Sequence, residues 1–289
     1  MNTLPDFTHF GFIGFGLIGG TIARSLRELY PDSEIMAYNY YENRPHPQLE
    51  LAKEDGVLTY VSTELEDFSK CQVIFLCAPV ITNVSYLKKI KNYISDECLI
   101  TDVGSVKGII HEAIHNLGLD KHFVGGHPMT GSEKTGYINS SSSFLKNAYY
   151  ILTPTKEAPE KYTEWLRMFV TDSGSHCEIM DYKRHDEVTA AISHGPHVIS
   201  ASLVNTVASL DDDEIYAKLA AGGLKDLTRI SSSSPEMWQN ISLTNSKCIV
   251  SFLDKYMDEL KAARDIIASN DADKLTEFFT NAKSYRDKL

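Results

Sequence analysis

Residues 10–19 read Phe10-Gly11-Phe12-Ile13-Gly14-Phe15-Gly16-Leu17-Ile18-Gly19. An apolar run passes into a glycine-rich turn, and an amphipathic stretch follows at residues 21–29. Strand, G-x-G-x-x-G and helix in that order form the context of a dinucleotide-binding fingerprint. Gly14 allows the tight turn, Gly16 the close approach of a pyrophosphate, and Gly19 the packing of helix on strand. Leu17 and Ile18 begin the helix, whose free backbone N–H groups face the anion. A purely structural glycine turn is the competing reading. An acidic residue is expected ~20 positions further on, to bind the ribose hydroxyls. That place holds Asn39, which can hydrogen-bond but lacks the charge that repels an extra phosphate. Arg44 lies close enough in sequence to pair with such a phosphate, or is simply a surface charge. NAD is the expected cofactor, with NADP left open.

Outward from this loop, short apolar runs alternate with helical patterns. His9–Ile13, Glu34–Tyr38, residues 73–77 and Leu99–Asp102 read as buried strands, so βαβ units and a parallel sheet are expected. Residues 148–152 and 176–180 could extend that sheet. Ala78 and Pro79, just past the strand at 73–77, are assigned to the cofactor site. After about residue 180 the strand-like runs almost vanish. Residues 188–210, 238–270 and 272–288 carry apolar residues at three- and four-residue spacing, the helical period. The expected fold is α/β: an N-terminal Rossmann-like doubly wound sheet over residues 1–180, then an all-helical domain over 181–289. A helix predicted at 242–268 carries Ile249, Phe252, Leu253, Tyr256, Met257 and Leu260, a stripe that needs a partner in this chain or in a second subunit. The serine runs at 140–143 and 231–234 read as loops or helix caps.

Composition narrows the function. The chain has 289 residues, 43% hydrophobic, enough for a sizeable core. Its net charge is −11 and it has no basic patch, which argues against nucleic acid as a partner. No run of ~18 apolar residues is present, so no membrane span is expected. The N-terminus does not read as a signal peptide. Five widely spaced cysteines without a C-x-x-C suggest reduced thiols and a cytoplasmic location rather than disulfides or a zinc site. A small anionic substrate would need a local cluster of cations.

Four polar, glycine-rich motifs are hard to explain by packing, and the Gly-Gly-His-Pro stretch within the second reads as a loop. They are Asp102-Val103-Gly104-Ser105-Val106-Lys107; Gly125-Gly126-His127-Pro128-Met129-Thr130-Gly131-Ser132-Glu133; Ser193-His194-Gly195-Pro196-His197; and Gly222-Gly223-Leu224-Lys225-Asp226-Leu227-Thr228-Arg229, followed by Ser234-Pro235-Glu236-Met237-Trp238. Taken together and in this order, they resemble the prephenate/arogenate dehydrogenase family over roughly residues 10–238. The resemblance implies oxidation of a ring alcohol by a nicotinamide cofactor, coupled to decarboxylation and aromatisation. It implies His127 as the histidine that bonds the ring hydroxyl and removes its proton. The chemistry agrees, since a hydride leaves more easily as the carbinol oxygen gains charge, and His titrates near neutral pH. Ser105 resembles the serine that bridges hydroxyl, histidine and nicotinamide; capping of a helix over 106–114 is the other reading, and the two are compatible.

By the same resemblance Arg229 binds a substrate carboxylate, where a guanidinium grips at two points. Lys225, four residues earlier, shares its helical face, and Gly222 opens the motif. His194, His197 and Trp238 match positions near the substrate, and Glu133 an acidic residue that influences access. His194 and His197 stand at i, i+3, but no third ligand has convincing spacing, so no metal is expected. Gly195 replaces a bulkier apolar residue common in the family and could loosen the helix start or reshape the pocket. The resemblance further implies a homodimer through the helical domain, a site in the cleft between the domains, and the short form without a chorismate-mutase domain. Competitive inhibition by tyrosine is a further expectation. The favoured reaction is conversion of prephenate to 4-hydroxyphenylpyruvate. The alternatives are an arogenate dehydrogenase that yields tyrosine directly and a non-catalytic dinucleotide sensor. A β-hydroxyacid dehydrogenase is disfavoured, because histidines stand where its lysine is expected.

Overall fold

The apolar run at His9–Ile13 is strand β1, with every residue after His9 buried. The computed structural model describes residues 4–41, 44–132 and 134–289; Glu133 therefore lies outside the described residues. After β1 come α1 (Leu17–Leu29), β2 (Glu34–Tyr38), the short strands β3 (Tyr40–Tyr41) and β4 (Arg44–Pro45), and α2 (Gln48–Glu54). β5 (Tyr60–Val61), β6 (Val73–Leu76), α3 (Val80–Ile90) and β7 (Leu99–Asp102) complete this part. One parallel sheet results, ordered β5-β2-β1-β6-β7. The chain winds away from β1 in both directions, so the carboxyl ends of β1 and β6 form the switch point where such sheets bind ligands.

Both faces of the sheet are covered, which explains the continuous apolar runs. Alternate residues serve opposite sides. Phe10, Phe12 and Phe75 pack with Trp165 and Phe169 on one side, while Ile13, Ile74, Leu76 and Ile100 pack with Ile110 and Ile114 on the other.

A second, three-stranded sheet follows α4 (Gly108–Leu117). It contains β8 (Val124–Pro128), β9 (Tyr149–Pro154) and β10 (His176–Ile179), with α5 (Glu160–Asp172) between the last two. The order is β10-β9-β8, with β9 antiparallel to β8 and parallel to β10. The runs at 148–152 and 176–180 thus form strands in a sheet of their own, linked to the first, among the described residues, by the parallel bridge Ile100–Phe123. β8 itself is a correction, because its Gly-Gly-His-Pro reads as a loop. Glycine disfavours strands in general, yet close approach demands it here. A Cβ at Gly125 would lie 2.3 Å from Thr153 Oγ1, and one at Gly126 2.7 Å from the Asp102 carbonyl oxygen.

α6 (Tyr182–Thr189) ends the first compact unit, Met1–Thr189. A division at residue 180 places this helix in the second domain; by its contacts it packs with the first unit.

The second unit, Ala190–Leu289, is helical throughout. A π-helical turn, Ala190–His194, precedes α7 (Gly195–Ala208), α8 (Ile215–Leu219), α9 (Gly222–Thr228), α10 (Pro235–Thr244), α11 (Ser246–Ser269) and α12 (Ala272–Arg286). The helix expected over 242–268 is broken at Asn245, whose buried side-chain amide donates to His194 Nδ1 at 3.1 Å. That bond holds Asn245 off the helical path, as short polar side chains do at helix ends. Gly195 has a packing reason: a Cβ there would sit 2.2 Å from the Phe252 ring, so its absence seats α11 against α7. Both serine runs cap short elements. Ser141 accepts from the Ser143 N–H, and Ser234 from the Met237 N–H at the start of α10. Among the described residues no helix is long and apolar enough to cross a membrane.

Candidate active site

The loop between β1 and α1 fits a pyrophosphate. Gly14 has φ +80°, and a Cβ on it would lie 2.5 Å from the Ala78 nitrogen. Gly16 faces open space, with nothing within 4 Å of a Cβ. α1 begins there with no side-chain cap and no acidic residue in its first turn, so its N–H groups are left for an anion. Gly19 packs against Cys77, and Gly20 packs more tightly still, since a Cβ on it would lie 2.7 Å from Tyr137 and Ser140. Gly20 was not singled out in the sequence. Ala78 is braced by Asn83, which accepts its N–H at 3.2 Å and donates to its carbonyl at 2.8 Å, and Pro79 leads into α3. Asn39 follows β2 and its carbonyl accepts the His46 N–H at 2.8 Å. Arg44 is exposed on the small β3–β4 hairpin just beyond.

The second part of the site is built around a buried ion pair. Lys107 and Asp102 are fully buried, and Lys107 Nζ donates to Asp102 Oδ2 and to the Gly126 carbonyl at 2.7 Å. Asp102 also accepts the N–H groups of Gly104 at 2.9 Å and Gly126 at 3.3 Å. The loop carrying Ser105 and the strand carrying His127 are thereby locked together. Burial pushes the Lys107 ammonium below its ordinary range, against the pull of Asp102 and Asp186.

His127 lies in β8, opposite Ile151 of β9. Its Nδ1 is 2.8 Å from Nε2 of His185 on α6, and His185 Nδ1 is 2.8 Å from Asp186 Oδ1. Asp186 accepts the N–H groups of Lys107 at 2.8 Å and Gly108 at 2.7 Å. Its carboxylate therefore caps α4 from a distant part of the chain. This corrects one reading of Ser105: α4 starts at Gly108, and Ser105 is not its cap. Ser105 is half-buried in the loop, and among the described residues no hydrogen bond joins it to His127.

In the helical unit, the His197 ring stacks on Trp238 at 3.6 Å, and His194 meets the same indole edge-on at 6.1 Å. His197 Nδ1 is 2.9 Å from the Ser193 carbonyl, so that nitrogen carries the proton. Burial, and after it the charge of Arg229, disfavour the imidazolium of His197. The Trp238 indole N–H is buried with no hydrogen-bond partner among the described residues. Arg229 closes α9 and is exposed, as are Lys225 one turn earlier and Gly222 at the start. Ser200 of α7 donates to the Leu227 carbonyl at 2.9 Å and holds α9 in place. Four of the expected residues, His194, His197, Trp238 and Arg229, thus share one neighbourhood.

Three residues central to this geometry were not anticipated as functional: Lys107, His185 and Asp186. Adjacent His and Asp on a short helix carry a weak sequence signal; burial of both is what marks them. Among the described residues no group of His, Cys, Asp or Glu is arranged to hold a metal ion.

Comparison with known proteins adds the following. Residues 22–179 match the family described as prephenate dehydrogenase, nucleotide-binding domain, and residues 181–281 match prephenate dehydrogenase, dimerization domain. The chain is 35% identical to a prephenate dehydrogenase of Bacillus subtilis (strain 168), over 96% of this chain and 74% of that protein. It is similar to the crystal structure of prephenate dehydrogenase from A. aeolicus in complex with hydroxyphenyl propionate and NAD+. That likeness has a TM-score of 0.90 and 31% identity, and covers 98% of this chain and 99% of the other. It is also similar to Synechocystis arogenate dehydrogenase, with a TM-score of 0.86 and 27% identity over 96% of this chain and 99% of that one.

Proposed function

The chain belongs to the prephenate dehydrogenase family, and we propose that it catalyses the NAD-dependent oxidative decarboxylation of prephenate to 4-hydroxyphenylpyruvate. One observation carries the reading. The buried Lys107 ammonium ties the Ser105 loop to the His127 strand, which supports a base and a hydroxyl acting on one substrate. The NAD+ and the substrate-like acid bound by the A. aeolicus relative support it. In this reading Gly14, Gly16, Leu17, Ile18, Gly19, Ala78, Pro79, Asn39 and Arg44 form the cofactor site.

Bound NAD+ supplies the two-electron acceptor for the carbinol C–H bond. His127 takes the proton of the ring hydroxyl as that bond breaks, while Ser105 donates to the same oxygen. The ring carboxylate leaves as CO2, and the electrons of the broken C–C bond aromatise the ring and return to the oxygen. His127 then gives its proton back, so the phenol forms with no net proton release. Arg229 and Lys225 hold the side-chain carboxylate by charge-assisted hydrogen bonds. His194, His197, Trp238 and Gly222 shape the pocket, and Glu133 acts on access to it. The helical domain, residues 181–289 in this assignment, forms a homodimer, and the enzyme works in the cytoplasm.

The test is reduced-nicotinamide absorbance, with prephenate or arogenate against NAD+ or NADP+. Turnover is expected with prephenate and NAD+. Preference for arogenate or NADP+ would transfer specificity to the pocket or to Asn39 and Arg44. Silence of a folded protein in every combination would overturn the proposal.

A further inference from the structure

We propose that His185 and Asp186 are positioning residues that present His127 to the substrate as its Nδ1–H tautomer, leaving the Nε2 lone pair to take the hydroxyl proton. The proposal deepens the functional reading and rests on His127 being the base there.

The hydrogen-bond network assigns the protons from one end. Asp186 accepts two backbone N–H groups at the start of α4. Those are the partners of a carboxylate, which offers no hydrogen of its own. The hydrogen on the 2.8 Å contact between Asp186 and His185 therefore belongs to His185 Nδ1. A neutral imidazole has one N–H, so His185 Nε2 is an acceptor. The hydrogen on its 2.8 Å contact with His127 then belongs to His127 Nδ1. Burial lowers the pKa of His185, which keeps it neutral near pH 7. Had His185 been an imidazolium, both its nitrogens would donate, and the proton of neutral His127 would sit on Nε2, where it could accept nothing.

The arrangement also serves the charged stage. When His127 holds the substrate proton, His185 Nε2 still accepts from Nδ1, with the Asp186 carboxylate behind it. The proton stays on His127 and returns to the phenolate; His185 changes neither charge nor tautomer. The other titratable groups around the pair are Asp102 at the end of β7, Lys107 from the β7–α4 loop, His111 from α4 and Tyr150 from β9. Among the described residues, none of these four hydrogen-bonds either ring.

The experiment is ring ¹⁵N NMR on full-length protein labelled at histidine, with His127→Asn to assign the signal. At pH 8 the expected result is a protonated Nδ1 and an unprotonated Nε2 on His127; the reverse would overturn the proposal. The kinetic arm uses His185→Phe. Its kcat is expected to fall by about ten- to a hundredfold, part of the ~10²–10⁴ that a positioned general base contributes. KM for prephenate should stay within about threefold, since the contact acts on the transition state. The acid limb of kcat should move to lower pH, because the His127 imidazolium loses an acceptor. His185→Gln, which restores an acceptor oxygen, should recover part of the loss. An unaltered kcat and pH profile in folded His185→Phe would sink the idea. The NMR arm needs no turnover, so a chain inactive on prephenate overturns the functional reading alone. An active chain with the wrong tautomer overturns this inference alone.

Discussion

His127 follows two glycines on β8, and the bareness of that strand lets it press against Asp102 and Thr153. As the base of the proposed reaction, His127 contributes to the barrier more than to binding. His127→Asn should therefore lower kcat by ~10²-fold or more with little change in KM. In the proposed reaction Arg229 plays the opposite part, gripping substrate in ground and transition states alike. Arg229→Ala should raise KM for prephenate by ~10- to 100-fold, the equivalent of the ~1.5–3 kcal/mol of a charge-assisted hydrogen bond. Steady-state kinetics on both variants checks the pair, and reversed phenotypes would exchange the roles. His111 makes a third residue-scale case. It is buried against Tyr182 at 4.4 Å and bonds Thr153 at 2.9 Å. Burial, and then Lys107, push its pKa from an ordinary 6.5 down to about 4. The unfolded chain takes up this proton as the pH falls below 6.5, while the folded chain does not until about 4. Stability is thus undiminished above that window and lost within it, at ~1.4 kcal/mol per pH unit. His185, shifted the same way, adds to the effect. Melting temperature should fall from pH 7 to pH 5, and His111→Gln should flatten the slope.

Among the elements, the junction of β7, α4 and β8 is the most tightly specified. One ammonium, one carboxylate and one distant cap hold three segments together, and none of the three groups reaches water freely. A buried pair is costly to break and cheap to replace. Lys107→Met alone should destabilise by about 3–5 kcal/mol, because Asp102 is left buried without its cation. The double variant Asp102→Asn with Lys107→Met should recover part of that loss. Chemical denaturation of the two measures the difference, and equal losses would show that the pair is not coupled. The helices of the second unit obey a simpler logic. Asn245 ends α10 because its amide is spent on His194, and α11 then runs on to Ser269.

At the scale of the molecule, the helical unit leaves many large apolar side chains in water. Val250, Met257, Leu260 and Ile267 of α11, with Leu243 of α10 and Phe279 of α12, are all exposed. A surface so apolar points to burial against another protein surface, in keeping with the dimerisation domain that residues 181–281 match. Sedimentation velocity should give twice the chain mass. Met257→Glu combined with Leu260→Glu should shift the protein toward monomer, and a wild-type monomer at micromolar concentration would refute the dimer.

Much of this was readable along the chain because it depends on neighbours in sequence. The alternation of apolar runs and helical stretches announced the parallel sheet, and Gly14, Gly16 and Gly19 announced a turn that only glycines make. The motifs around Ser105, His127, His194 and Arg229 named the chemistry by their resemblance. What stayed hidden depends on contacts between distant residues. His185 and Asp186 look like ordinary polar residues on a short helix until folding buries them beside His127, 58 positions away. β8 reads as a loop, because pairing with β9 overrides the poor strand propensity of glycine. The break at Asn245 and the bare backbone at Gly195 follow from single partners, His194 and Phe252, that no local pattern predicts. Local propensity and spacing record short-range preferences of the backbone. Proton positions, caps supplied from afar and close approaches are set only when the tertiary fold brings their partners within bonding distance.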